Sequence, residues 1–347
     1  MATSSTRRAL LVPGGIAGLS RLIAPGIGAG TEKQVSVARR AMGCEFSLIF
    51  PGEFRAACDA GCRALDVVDS LEQKLSVFRP DSEMSFVNRT AAASSVQADP
   101  EVYDLLRMAA RTSRETAGAF DAASGALVRA WGYLHGPRRV PEEPERLAAL
   151  RSSGSALVAL DDEARTVRFL RDGVEFNLGG VGKGYAIDLA LDRIRTGFGV
   201  RCALMQAGES SFKAVGAPRC EPRGWKVAIA DPTRPSRRAA VVWLKNRALG
   251  TSGTAHQFFD SGGRRYGHIL DPRTGWPADR VAGASAIADS AAKADALSTA
   301  FFVMGVEGAR RYCLDHPGAG AVLVLKPKPQ AVPEVLVFGA ANAEVLL

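Results

Sequence analysis

Residues 176 to 188 read FNLGGVGKGYAID, a glycine-rich turn between two apolar segments. After the turn, Ile187, Ala190, Leu191 and Ile194 recur at helical spacing. Before it, VEFNLGG (residues 174 to 180) alternates as a strand does. A turn that opens a helix presents unpaired backbone N–H groups, which favour phosphate or another anion. Two common nucleotide fingerprints nevertheless fail. A phosphate-loop NTPase needs glycine where Asn177 stands and Ser or Thr where Gly184 stands, and a dinucleotide fingerprint begun at Gly180 and Gly182 needs glycine at Tyr185. A nucleotide bound here is therefore bound by another arrangement, which the rest of the chain must supply.

Working outward, QVSVARRAMGCEFSLIFPG (34 to 52) alternates as a hairpin, and residues 53 to 78 carry apolar residues at helical spacing. RPDSEMSFVNR (79 to 89) reads as a polar turn, and residues 100 to 120 as a helix ended by Gly118. Residues 136 to 155, rich in proline and charge, read as an external connection with one short helix. Two alternating stretches from 156 lead back to the glycine turn. Beyond its helix, strands are expected at 202–208, 224–232, 239–253, 321–326 and 334–339, with a helix over SAAKADALSTAFFVMG (290 to 305). Strands and helices mix without a strict βαβ repeat, so the fold class is α+β, with mixed or antiparallel sheets and flanking helices.

The 347 residues are 47% hydrophobic, enough for real cores. A net charge of +8 and a pI near 9.4 suit an anionic ligand. The cations are scattered without an aromatic-basic stripe, so no nucleic-acid partner is expected. The six cysteines form no C-x-x-C pair and stand at no zinc spacing. Residues 1 to 35 are set apart as a leader, an export signal or a disordered tail, and 36 to 347 as one catalytic domain. The arginine pair Arg7–Arg8 before a broken apolar run is a weak twin-arginine-like feature. If it is used, the protein is periplasmic or in the cell envelope; otherwise it is cytoplasmic.

Asp295 and Thr299 stand four apart in a helical segment, one turn apart on the same face. Both offer the hard oxygen that magnesium takes. An exposed aspartate and a threonine bonded to its own backbone would show the same spacing. His268 precedes Asp271 in YGHILDPRTGWP (266 to 277), an imidazole and a carboxylate in one loop, as a general base and its orienting partner would be. A hydrogen-bonded structural histidine is the plainer reading. GTSGTAHQFF (250 to 259) and AGESSFKAVG (207 to 216) offer pocket-lining hydroxyls or simple turns.

Nine segments in order resemble the ApbE family of FAD:protein FMN transferases: MGCEFSL, FRPDSEMSFVN, GAFDAASGALVRAWGY, FNLGGVGKGYAID, ALMQAGESS, GWKVAIADP, ALGTSG, HILDPRTGWP and ADALSTAFFVMG. The resemblance runs from about residue 36 to residue 310. It implies two subdomains around a flavin cleft, Mg²⁺ and FAD as cofactor and substrate, and transfer of FMN to a Ser or Thr of a partner flavoprotein with release of AMP. The acceptor is then a flavoprotein with such an attachment site, in some cases at a membrane. Mapped onto this sequence, the resemblance implies magnesium ligation by the Gly180 carbonyl, Asp295 and Thr299. It implies FAD contacts at Met42, Phe78, Ala119, Phe120, Asp121, Asn177, Lys183, Ile269 and Ser298, several through backbone, and assistance from His268 in deprotonating the acceptor. The chain departs from the family pattern in having Asn177 for a common aspartate and Glu209–Ser210 for a common glycine–aspartate pair. Two other readings stand beside transfer: magnesium-dependent FAD hydrolysis to FMN and AMP, and a flavin-binding module without catalysis.

Overall fold

The computed structural model describes residues 10–11, 33–134, 136–253, 257–327, 332–343 and 345–346. Of the expected leader, only Leu10–Leu11 and residues 33 to 35 lie among them. The helices are α1 Ala57–Leu75, α2 Glu83–Thr90, α3 Pro100–Glu115, α4 Gly125–Ala130, α5 Glu143–Arg151, α6 Gly182–Phe198 and α7 Ala291–Asp315.

A nine-stranded sheet forms the centre. Its order is Leu10–Leu11, Gln34–Ala41, Cys44–Pro51, Ala203–Ala207, Ser211–Val215, Ala248–Gly253, Gly283–Ala288, Gly320–Val324 and Val335–Gly339, each neighbour antiparallel. The α+β class is thus as expected, with every ladder of this sheet antiparallel.

The sheet is covered on both faces. Phe46, Leu48 and Phe50 point toward α1, α6 and α7, whereas Ile49, Leu204, Phe212, Leu249, Ile287 and Val322 point the other way. There they meet Val227, Ile229, Val242 and Leu244 of a second sheet, built from Trp225–Asp231, Arg234–Leu244 and Val345–Leu346. Alternate residues therefore enter different cores, and doubly buried strands read as continuous apolar runs.

Two close backbone approaches set α7 in place. A Cβ at Gly250 would lie 2.4 Å from the Ala294 backbone, and one at Gly184 would lie 2.2 Å from the Ala291 carbonyl oxygen. Only glycine lets α7 begin so near the Ala248–Gly253 strand and α6. Gly250→Ala is expected to destabilise the fold by about 1–3 kcal/mol through overpacking, read as a lower urea midpoint at unchanged m-value. A midpoint equal to wild type would contradict this account.

Several local expectations change. Residues 79 to 89 are not all turn, because Ser82 caps α2, its Oγ accepting from the Ser85 N–H at 3.0 Å, and Met84 and Val87 are buried. VEFNLGG is not a strand. Asn88 of α2 takes over the bonding of Phe176: its Oδ1 accepts from the Phe176 N–H at 2.8 Å, and its Nδ2 donates to the Phe176 carbonyl at 3.1 Å. Helix α3 stops at Glu115, short of Gly118, whose N–H donates to the Ser113 carbonyl. The strands Ser211–Val215 and Gly283–Ala288 are additions. The second of these, GASAIA, carries mostly small residues and little β-propensity, and pairs because both flanking strands supply partners.

Candidate active site

A cleft of about 910 Å³ opens where the starts of α6 and α7 meet the ends of several sheet strands. Every residue that the family resemblance assigns to catalysis, flavin contact or metal ligation lines it.

The glycine turn comes first. Asn177 shapes it: its N–H donates to the Ala122 carbonyl at 2.7 Å, and its Oδ1 accepts from the Gly179 N–H at 2.9 Å. Gly180 then passes against α7, since a Cβ there would lie 3.4 Å from both Thr299 Oγ1 and the Phe120 ring. Phe120, 4% exposed, forms a floor beneath the turn. Lys183 sits in the first turn of α6 and forms no salt bridge among the described residues.

On α7, Asp295 is buried and its Oδ2 accepts from the Gly184 N–H at 2.8 Å. Burial is the main influence on this carboxyl, partly offset by Lys183 and by hydrogen bonds from Ser211 and Gly184; it is pushed up to about 6. One turn on, Thr299 Oγ1 lies 3.4 Å from the Asp295 carbonyl, the backbone bond such a helical threonine favours. The same hydroxyl lies 3.2 Å from Ser252 Oγ, which is also 2.8 Å from Ser298 Oγ. Among the described residues no group of three or more His, Cys, Asp or Glu could hold a metal. Gly180, Asp295 and Thr299 all line the cleft, and the Gly180 carbonyl, the Asp295 carboxylate and the Thr299 hydroxyl would offer an all-oxygen set with one carboxylate. That chemistry fits Mg²⁺, which usually takes few protein carboxylates and completes its shell with water and phosphate.

His268 follows the hairpin of Phe258–Ser261 and Arg264–Gly267. Its Nδ1 lies 3.1 Å from the Gln257 carbonyl. A carbonyl only accepts, so Nδ1 carries the proton and Nε2 holds the free lone pair of the neutral ring. Burial, with the nearby Lys183 and Arg138 charges, moves the imidazole below its usual value and so favours the neutral ring. The expected pairing with Asp271 does not occur. Both Asp271 oxygens bind Arg273, at 2.8 Å each, and the carboxylate organises its own turn.

Asp121 is also committed. Its carboxylate accepts from Ser113 Oγ, Ser155 Oγ and the N–H groups of Ala123 and Ser155, all within 2.7–2.8 Å. Its side chain braces the 119–123 turn, leaving backbone as what this stretch, with Ala119, offers a ligand. Met42 and Gly43 form the hairpin tip with φ of 48° and 77°, as a tight two-residue turn requires, and the Met42 N–H donates to Glu72 Oε1 at 2.9 Å. Phe78, 62% exposed, stands at the rim, while Ile269 is buried in the wall. Burial pushes the Tyr133 phenol up to about 12, and its hydroxyl donates to the Tyr266 carbonyl at 3.1 Å.

Sequence reasoning missed the contributions of Ser285 and Ala228, on strands paired only in the folded chain, and of Pro232, in the turn after Trp225–Asp231, to the lining. It also missed Gln257 as the partner of His268. No local signal marks a backbone carbonyl eleven residues away.

The ApbE family model matches residues 42–323. The chain belongs to the ApbE family. The FAD:protein FMN transferase of Treponema pallidum is 30% identical over 293 residues, covering 79% of this chain and 80% of that protein. The crystal structure of the ApbE protein of Thermotoga maritima aligns with a TM-score of 0.79 at 30% identity, over 90% of this chain and 98% of that one. The apo form of the flavinyl transferase ApbE of Pseudomonas stutzeri aligns with a TM-score of 0.76 at 26% identity, over 90% and 96%. This ApbE-family chain thus shares its antiparallel α+β architecture with flavin transferases along nearly its whole described length.

Proposed function

We propose that the protein transfers the FMN half of FAD to a Ser or Thr hydroxyl of a partner protein, releasing AMP, with Mg²⁺ in the cleft. The observation that carries this reading is that Gly180, Asp295 and Thr299 line one dinucleotide-sized cleft together with His268, Gly180 packing against Thr299.

Gly180, Asp295 and Thr299 would hold the metal. Once bound, the ion would stabilise the charge that grows on phosphate oxygens. The α6 N-terminus and Lys183 add positive potential for the pyrophosphate. Phe120, Phe78, Met42 and Ile269 offer apolar surface to a flat ring system, while Asn177, Ser298 and the backbone of 119–121 offer hydrogen bonds. Nε2 of His268 takes the proton of the acceptor hydroxyl as its oxygen bonds to the FMN-side phosphorus. The bond from that phosphorus to the oxygen of AMP breaks, and AMP departs.

Incubation with FAD, Mg²⁺ and a candidate acceptor, followed by intact-protein mass spectrometry and AMP detection, tests the reading. A flavin-sized mass gain matched by AMP is expected. AMP and free FMN with an unmodified genuine acceptor would replace transfer by hydrolysis.

A further inference from the structure

Helices α6 and α7 hold each other at their starts. The Gly184 N–H of α6 donates to the Asp295 carboxylate of α7 at 2.8 Å. In return, the Ala291 and Ala292 N–H groups of α7 donate to the two oxygens of Asp188 on α6, at 2.9 Å each. Each helix therefore gives amide hydrogens from its first turn and, four residues later, a carboxylate. The missing Cβ of Gly184 is what lets the two starts meet.

The amide donors of residues 291 to 294, at the start of α7, are all accounted for. Ser290 Oγ accepts from Lys293 at 3.1 Å, the Ser290 carbonyl accepts from Ala294 at 3.0 Å, and Asp188 takes the remaining two. Asp188 is thus a helix cap supplied from another helix. It is buried, and Lys213 of the Ser211–Val215 strand donates to its Oδ1 at 2.6 Å. That strand directly follows Glu209 and Ser210, which line the cleft. One carboxylate therefore ties together α6, the start of α7 and the Ser211–Val215 strand, three of the elements around Asp295.

We infer that Asp188, with Lys213 as its counter-charge, is a positioning residue that sets the first turn of α7 and so aims Asp295 into the metal site. This rests on the reading of Asp295 as a magnesium ligand. Neither residue lines the cleft in which flavin and metal would be held. An asparagine at 188 would turn an N–H₂ toward one of the two amide donors and remove the charge that Lys213 answers.

The test is the Mg²⁺ dependence of two quantities: the thermal midpoint of the flavin-free protein and the turnover of FAD. Asp188→Asn is expected to raise the half-effective Mg²⁺ concentration about 10- to 100-fold in both, the usual effect of losing a group that orients a metal ligand. Turnover should return toward wild type at saturating Mg²⁺, which a broken fold would not allow. Lys213→Met should shift the midpoint in the same direction, Lys213→Arg should restore it, and Asp188→Asn/Lys213→Met should be no worse than Asp188→Asn alone. If Asp188→Asn does not fold, the Lys213 pair decides. An unchanged Mg²⁺ midpoint, or turnover that stays low at every Mg²⁺ concentration, overturns the inference. Asp295→Ala is the control. If it loses the Mg²⁺ response while Asp188→Asn and Lys213→Met keep theirs, only the positioning role falls; if wild type itself shows no response, the metal reading falls with it.

Discussion

Asp295→Ala should lower Mg²⁺-dependent turnover about 10³-fold, since a correctly held ion contributes several kcal/mol at the transition state and each 1.4 kcal/mol is tenfold. Circular dichroism of this variant should match wild type. The same residue gives a second result through its burial. Its carboxyl is raised from 3.8 to about 6 in the folded chain, so it favours the fold fully below its unfolded value. That contribution is lost as pH rises through about 6, and the loss amounts to about 3 kcal/mol. Without metal, Asp295→Asn should therefore melt higher than wild type at pH 8 and alike near pH 4, while being inactive. Added Mg²⁺ should narrow the gap at pH 8 by stabilising only wild type. An asparagine variant that melts lower than wild type at pH 8 would show that the carboxylate is held at net gain, contrary to its burial.

His268→Ala is expected to cut transfer about 10²- to 10⁴-fold, the range for a positioned general base, while FAD binding persists. The wild-type kcat/KM should fall on the acid side below the ordinary histidine value, because burial and the Lys183 and Arg138 charges all favour the neutral ring. Arg138→Met removes one of those charges and should move this limb upward in pH. Asp295 titrates nearby, but its limb should retreat as Mg²⁺ is raised, since metal and proton compete for one carboxylate. The His268 limb should not. Retention of full transfer by His268→Ala with a genuine acceptor would remove the base from the chemistry.

How much of this was readable beforehand varies with the range of the interaction. The helical face of Ile187, Ala190, Leu191 and Ile194 was legible because period and burial coincide, and all four are fully buried. The cleft residues were legible through motif order, not through spacing. Asp295 and Thr299 alone are indistinguishable from any helical Asp/Thr pair, and Thr299 does make the ordinary backbone bond. What stayed hidden depends on partners distant in the chain. Asp271 looked like the neighbour of His268, yet Arg273 is two residues from it and offers a bidentate charged partner, which wins. VEFNLGG had strand alternation, but Asn88, far away in sequence, met the backbone needs of Phe176 and no ladder formed. Asp188 lay in plain view within the motif, and its role follows only from where α7 begins.

Helix α7 is interrupted at Gly305, whose φ of 71° and ψ of −161° belong to a region essentially reserved for glycine. The two segments on either side are fastened differently. The first is clasped to α6 at Asp295 and Asp188, and the second is held to α3 through the Tyr312 hydroxyl on Glu115 at 3.1 Å. A break in the hydrogen-bond ladder uncouples their fraying, so the far segment can exchange its amide protons with solvent through local opening while the Asp295 turn stays closed. Mechanical disturbance arriving from the end of α7 is thereby absorbed at one residue, about one and two-thirds turns beyond Thr299, the last residue of that helix to line the cleft.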